Sequence, residues 1–355
     1  MVEAKAGSLS FLTDNAITAT IADSYAVFSE RRKALKLTNP GTVDNIAREI
    51  QKDVLCTNFM FQGLRADFQK VFSLAPLFRI QHGFQMGPNV PSPYNLMALY
   101  GTPNVLLQAG LSNDGSAQCF ANYRWSPKLI SKSQAQISEG QALVQLDSEY
   151  TGDDFSASIK AMNPSILDGS LTGIFIGSYL QTITPRVSLG AEGVWQRQAL
   201  NARPETAISY CGRYKGDDWI ASAQYLAQGV LNISYWRQLT AQVEAGVDTQ
   251  LQFAPGLGGN GGMLSSIRRE GTTTIGAKYD FRASTFRAQV DSTGKVGCYL
   301  EKRVAPVVTM TFAGEIDQVK QTSKIGLAVS IEAAPEELME ASEKVEASNA
   351  QPPPY

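Results

Sequence analysis

The chain has 355 residues, with 31 basic against 33 acidic side chains and a formal charge of −2, a balance that argues against a protein held to nucleic acid by bulk positive charge. A mean hydropathy of −0.14 is too polar for a bundle of membrane helices, and no stretch approaches the roughly eighteen-residue apolar run that such a helix needs. The same value suits a membrane barrel, in which about half of every strand faces water.

Residues 1–41 mix Ser, Thr, Ala and charges without a clear period, although Asp14 to Leu35 could form a weak helix. Met1 to Leu12 lacks the long apolar core of a secretory signal peptide. Asn39-Pro-Gly-Thr42 reads as a turn with Thr42 as N-cap. Val43, Ile46, Ala47, Ile50 and Val54 then follow at helical spacing and predict a short amphipathic helix over residues 43–54. Beside a closed barrel, its apolar stripe can lie only on the inner wall or on the membrane surface.

From Leu55 to Glu332 the rhythm changes to two residues, in about nineteen alternating segments counted to within two. Phe78, Ile80, Phe84 and Met86 alternate with Arg79, Gln81 and Gln85. Val144, Leu146 and Tyr150 alternate with Gln145, Asp147 and Glu149. Asn113-Asp-Gly115, Gly152-Asp153, Lys215-Gly-Asp217 and Thr293-Gly294 supply the turns of a meander. The break from Pro255 to Glu270 is Gly-rich without a Gly-Lys-Ser/Thr, so it reads as a loop and not as a phosphate cradle. Tyr100, Trp125, Tyr150, Trp195, Tyr214, Trp219, Tyr279 and Phe281 gather toward segment ends, as interfacial girdles would.

After Glu332 the alternation stops, and Pro335 to Val345 suggests an exposed acidic helix. The chain therefore divides into an N-terminal segment (1–54), a closed transmembrane β-barrel (55–332) and an acidic tail (333–355). No cofactor or metal is expected. Cys56, Cys119, Cys211 and Cys298 are too far apart for a zinc or redox motif, and His82, the single histidine, lies among Phe78, Ile80 and Phe84. With no nucleophile beside a base, an enzyme is the least favoured class. A soluble β-structure that binds lipid or sugar would share the alternation.

The stretch from Asn39 to Val54, followed by Thr57-Asn-Phe-Met-Phe-Gln-Gly63-Leu-Arg-Ala-Asp67, resembles the barrel entry of one family. That family is the central channel subunits of the mitochondrial outer-membrane protein translocase, the TOM complex. Phe78 to Gly87, Tyr94 to Gly101 and Ala121 to Trp125 are similar to it as well, and the likeness covers about residues 39–332. It implies a relative of the eukaryotic porins in the mitochondrial outer membrane, with nineteen strands, the first and last parallel, and Val43, Ile46 and Ile50 on a helix in the lumen. It also implies a β-signal at Lys324, Gly326, Val329 and Ile331, read by the outer-membrane assembly machinery.

The implied partners are precursor proteins with presequences, a single-span receptor subunit, small helical subunits, a second copy of the barrel and membrane lipids. Val308, Met310, Phe312, Ile325 and Leu327 are the outward apolar residues expected at that seam, where they could equally meet lipid alone. Presequences are basic amphipathic helices poor in acid, so spaced carboxylates on the wet face would attract them without a tight site. Asp147, Glu149, Glu192, Glu244, Asp248, Glu301 and Glu315 are the candidates, with Arg79, Lys160, Arg186 and Lys278 expected to share the lumen. The nearest alternative is a metabolite porin of the voltage-dependent anion type.

Overall fold

The computed structural model describes residues 37–74, 76–88, 93–138, 140–167, 170–197, 203–254 and 268–333. The helices expected within residues 14–35 and 335–345, and most of the Gly-rich loop, lie outside these residues. Arg268 to Glu270, read above as the end of that loop, already belong to a strand.

Nineteen strands follow one another in chain order. They are β1 (Gly63–Leu74), β2 (Leu77–Met86), β3 (Tyr94–Gly101), β4 (Val105–Ser112), β5 (Ala117–Ser126) and β6 (Leu129–Ser138). Next come β7 (Gln141–Thr151), β8 (Phe155–Leu167), β9 (Ser170–Thr184), β10 (Val187–Arg197), β11 (Glu205–Lys215) and β12 (Trp219–Leu226). The last seven are β13 (Val230–Thr240), β14 (Val243–Ala254), β15 (Arg268–Asp280), β16 (Ser284–Asp291), β17 (Lys295–Ala305), β18 (Val308–Asp317) and β19 (Thr322–Ala333).

Each strand pairs with its chain neighbours in antiparallel register, and β1 closes the sheet by pairing in parallel with β19, Gly63 opposite Gly326 and Lys70 opposite Ala333. The parallel closure is a matter of parity. An up-and-down meander with an odd number of strands leaves its first and last members pointing the same way, so they can join only in parallel. Closure leaves no free edge, which the hydrocarbon of a bilayer demands.

Register fixes the two faces all the way round. Starting from Asp248, the cross-strand partners run through Thr274 and Asp291 on one side and Ser234 and Ser222 on the other. The same inner face continues to Glu301, Glu315, Lys324, Asp67, Gln81, Asp147 and Glu192. Leu327 pairs with Phe312 and Leu64 on the opposite face, away from Lys324. The aromatics expected at segment ends also face outward, and Tyr123 with Trp125, Tyr150 with Phe155, Tyr214 with Trp219 and Tyr279 with Phe281 form ring pairs at one rim. That rim, where odd-numbered strands end, is here called the girdle rim. The opposite rim holds the start of β1. His82 points outward, its Nδ1 2.8 Å from the Tyr94 hydroxyl.

Candidate conducting path

The segment before β1 is folded back inside the barrel. In place of the regular helix expected over 43–54, it has a tight 3-10 turn at Val43–Asn45 and a wide π turn at Glu49–Val54, closed by the Leu55 amide donating to the Ile50 carbonyl at 2.9 Å. Tight and wide turns together keep Val43, Ile46, Ile50 and Val54 against the curved wall, with Ile46 and Ile50 only 1% and 2% exposed. Thr42 precedes the first turn without a side-chain cap on the backbone. Its hydroxyl accepts from Asn45 Nδ2 at 2.9 Å instead.

This segment threads the lumen from one rim to the other. Next to the start of β1, Phe61 lies on Gly326, where an added Cβ would stand 2.5 Å from the Phe61 carbonyl oxygen. Cys56 then packs with Tyr299 and Ala313, and its amide donates to Gln289 Oε1 at 2.7 Å. Leu55 covers Gly276, Ile50 covers Gly246, and Val43 and Ile46 pack with Leu180 and Cys211. At the far end Asn39 Nδ2 donates to the Gly152 and Phe155 carbonyls, in the turn between β7 and β8 at the girdle rim. β19 ends at that same rim. Threading therefore puts the described ends of the chain, Leu37 and Ala333, at the same rim of an odd-stranded barrel.

Charges fasten the segment as well as apolar contacts. Glu49 pairs with Arg213, whose Nη1 also donates to the Pro40 carbonyl at 3.2 Å. Asp44 pairs with Lys160. Arg287 donates from Nε to the Asp53 carbonyl at 3.0 Å while its guanidinium lies 4.2 Å over the Phe59 ring. Sequence reasoning saw the apolar stripe of this segment and missed its acids. The available signal was Asp44 and Glu49, which lie off the stripe on either side of it.

All seven carboxylates singled out from the sequence share the inner face, yet they do not form one set. Asp147 and Glu149 stand side by side on β7, and Asp44 of the threaded segment joins them, with carboxylate oxygens of the three within 4.8 Å of one another. Such spacing could hold a cation, and two ammonium groups are already there: Lys160 on Asp44, and Lys132 on Glu149 at 2.5 Å. Asp147 is 8% exposed and its Oδ1 has no hydrogen-bond partner. Glu192 lines a cavity with Val43, Asp44 and Cys211. Asp248 lies partly beneath the segment, where Gln51 Nε2 donates to it at 3.4 Å.

The remaining three are apart from these. Glu244 accepts from Trp236 Nε1 at 3.3 Å, Glu301 from the Tyr299 hydroxyl at 3.2 Å, and Glu315 lies 3.5 Å from Lys324. Lys278 pairs with Asp280 at 2.7 Å. Arg186 differs from expectation: it sits in the turn between β9 and β10, 3.4 Å from Asp217, because the alternation ends before it. At the other rim, hydrogen bonds from the Ser116 hydroxyl and amide hold the Asp114 carboxyl below its usual range. On the final hairpin, Val308, Met310, Phe312, Ile325, Leu327, Val329 and Ile331 face outward, with Ile325 74% exposed.

A model of the eukaryotic porin family matches residues 39–326. The mitochondrial import receptor subunit Tom40 of Neurospora crassa is 53% identical over 342 residues, covering 96% of this chain and 97% of that protein. The chain belongs to the eukaryotic porin family, among its Tom40 members. Tom40 of Saccharomyces cerevisiae is 40% identical, covering 93% of this chain and 88% of its own length. The Tom40 match runs past the porin model at both ends, so the relationship takes in the threaded segment together with the wall.

Proposed function

We propose that this barrel is the protein-conducting pore of the mitochondrial outer membrane, passing precursor polypeptides with basic presequences. The observation that carries the reading is the near full-length kinship with two proteins named as mitochondrial import receptor subunits. Geometry supports it. Barrels of about sixteen to eighteen strands already leave an aqueous channel, and nineteen leave room for a chain beside the threaded segment. Carboxylates spaced around the wall, partly offset by lysines, give a field that draws cationic chains without a deep trap.

Asp147, Glu149, Glu192, Glu244, Asp248, Glu301 and Glu315 mark the proposed presequence path, and Asp44 extends it. Lys324, Gly326, Val329 and Ile331 are proposed as the assembly signal. The outward faces of β18 and β19 are proposed to meet a second barrel, with a single-span receptor subunit and small helical subunits around the pair. The girdle rim, where both flanks emerge, is assigned to the intermembrane space, which lets the N-terminal residues meet proteins on the exit side.

Planar-bilayer recording tests the path. Asp147→Lys, Glu149→Lys and Glu244→Lys together should lower cation preference and weaken block by a basic presequence peptide. Unaltered selectivity and block would remove these three residues from the path. Anion preference in the unaltered barrel would favour a metabolite porin.

A further inference from the structure

The threaded segment leaves the inner faces of β2 to β6 open, and amides recur along these faces between apolar and basic residues such as Met97, Phe120 and Lys132. Gln85, Asn95, Gln118, Gln134 and Gln136 on these strands, and Gln145 beside them on β7, all point inward, half-buried or exposed. Gln118 stands opposite Gln136, and Gln134 opposite Gln145. Among the described residues none of the six has a hydrogen bond from its side chain. A cavity lined by Gln81, Gln85, Asn95 and Gln118, and by the charged Arg65, Asp67 and Asp114, opens on this wall, with no residue of the threaded segment among those lining it.

We infer that this amide wall is a rail for the main chain of a polypeptide in transit, one that engages backbone groups whatever the side chains. The inference rests on the protein-conducting reading. A primary amide carries both donors and an acceptor on a short flexible stem, so it can answer the C=O and the N–H that each residue of an extended backbone presents. Residues two apart on one strand, such as Gln134 and Gln136, are separated by about 6.6–6.8 Å. That is also the repeat at which an extended chain turns equivalent backbone groups to one side. Each contact only exchanges hydrogen bonds with water, so it is individually weak. Weak, repeated and uncharged contacts slow a chain without arresting it. They also supply what the carboxylates cannot, a hold on the neutral or acidic stretches that follow a basic presequence.

The test uses the full chain in planar bilayers and three probes of equal length: an uncharged Gly/Ser peptide, polysarcosine, which has no backbone N–H, and a basic amphipathic peptide. The uncharged peptide should block the unaltered barrel several-fold longer than polysarcosine. Replacing Gln85, Gln118, Gln134 and Gln145 by Met, similar in volume but without the amide, should erase that difference and leave the dwell of the basic peptide within about twofold. Equal dwell of the two uncharged probes in the unaltered barrel, or a difference that survives the four replacements, would overturn the rail. Should the fourfold variant fail to assemble, the comparison in the unaltered barrel decides alone. If no peptide, basic or neutral, interrupts an otherwise normal ion current, the conducting reading itself fails and the rail goes with it.

Discussion

The inner wall of this barrel has two halves built from different residues. Where the threaded segment lies, the wall offers Ser156, Ser158, Ser188, Ser209, Ser222 and Ser234, all buried, together with Gly246, Gly276, Gly297 and Gly326. Small hydroxyls satisfy one another across strands, as Ser158 does with Ser178 at 2.6 Å, so much of a polar wall can be covered with its groups paired, Asp147 Oδ1 and Asp248 Oδ1 being exceptions. Across the lumen, on β2 to β6, long amides stand where the threaded segment does not cover them. The difference teaches how a permanent tenant is held: glycines and serines let it lie close, and a few long side chains, Arg213, Arg287 and Gln289, fasten it, whereas the amides opposite fasten no described residue of it.

The largest expected effect comes from filling the covered half. A Cβ at Gly276 would meet Leu55 Cδ2 at 2.7 Å, with Val54 Cγ1 at 3.5 Å beside it, so Gly276→Val makes the Leu55 side chain move and its two further methyls crowd the segment against the wall. Overpacking of this kind costs about 1–3 kcal/mol, which raises the displaced population roughly 5- to 150-fold. Cys56, fully buried in the native arrangement, reports it. With Cys119, Cys211 and Cys298 replaced by Ala, a water-soluble maleimide should label Cys56 faster by that factor. No change in rate would mean that the contact at Gly276 does not hold the segment. The same replacement at Gly177, where nothing lies within 4 Å of an added Cβ, should leave Cys56 protected.

An effect no larger than this is expected from the charges that fasten the segment. Arg213→Met removes the partner of Glu49 and the donor to the Pro40 carbonyl. Losing one member of a fully buried pair costs about 3–5 kcal/mol, but Glu49 is about a quarter exposed, so water can take over part of its solvation and about 1–3 kcal/mol is expected. Hydrogen exchange at the Ile46 amide should quicken, while exchange in β3 and β4 across the lumen should not. Equal quickening in both halves would show that Arg213 supports the wall and not the segment.

The same comparison explains what could be read from the sequence. The wall was legible because its code is local. Alternation of Val329 and Ile331 with Ser330 needs no knowledge of the neighbouring strand, and an odd strand count forces a parallel closure. The inner tenant was half legible. The spacing of Val43, Ile46, Ile50 and Val54 announced an apolar stripe, but the irregular turns depend on the curvature of a wall formed from residues some 150 to 250 positions later. Asp44 joins Asp147 and Glu149 through folding alone. Gly326 had a signal-like position in the sequence, whereas its contact with Phe61 appears only once the barrel is closed.

The smallest effect is expected at Thr42, where local reasoning and the fold diverge. A Thr that caps a helix typically contributes about 1 kcal/mol, because its hydroxyl accepts from an otherwise unpaired backbone N–H. Here the hydroxyl accepts from the Asn45 side chain, and the amides of Asn45 and Ile46 are already bonded to the Thr42 and Val43 carbonyls at 3.1 Å. Thr42→Ala should therefore shift segment opening by less than about 0.5 kcal/mol, a change of at most about twofold in the labelling rate of Cys56. A loss as large as that of a true cap would mean that this turn forms as an ordinary capped helix. The covered half of the lumen would then be shaped by its tenant, and not the tenant by the wall.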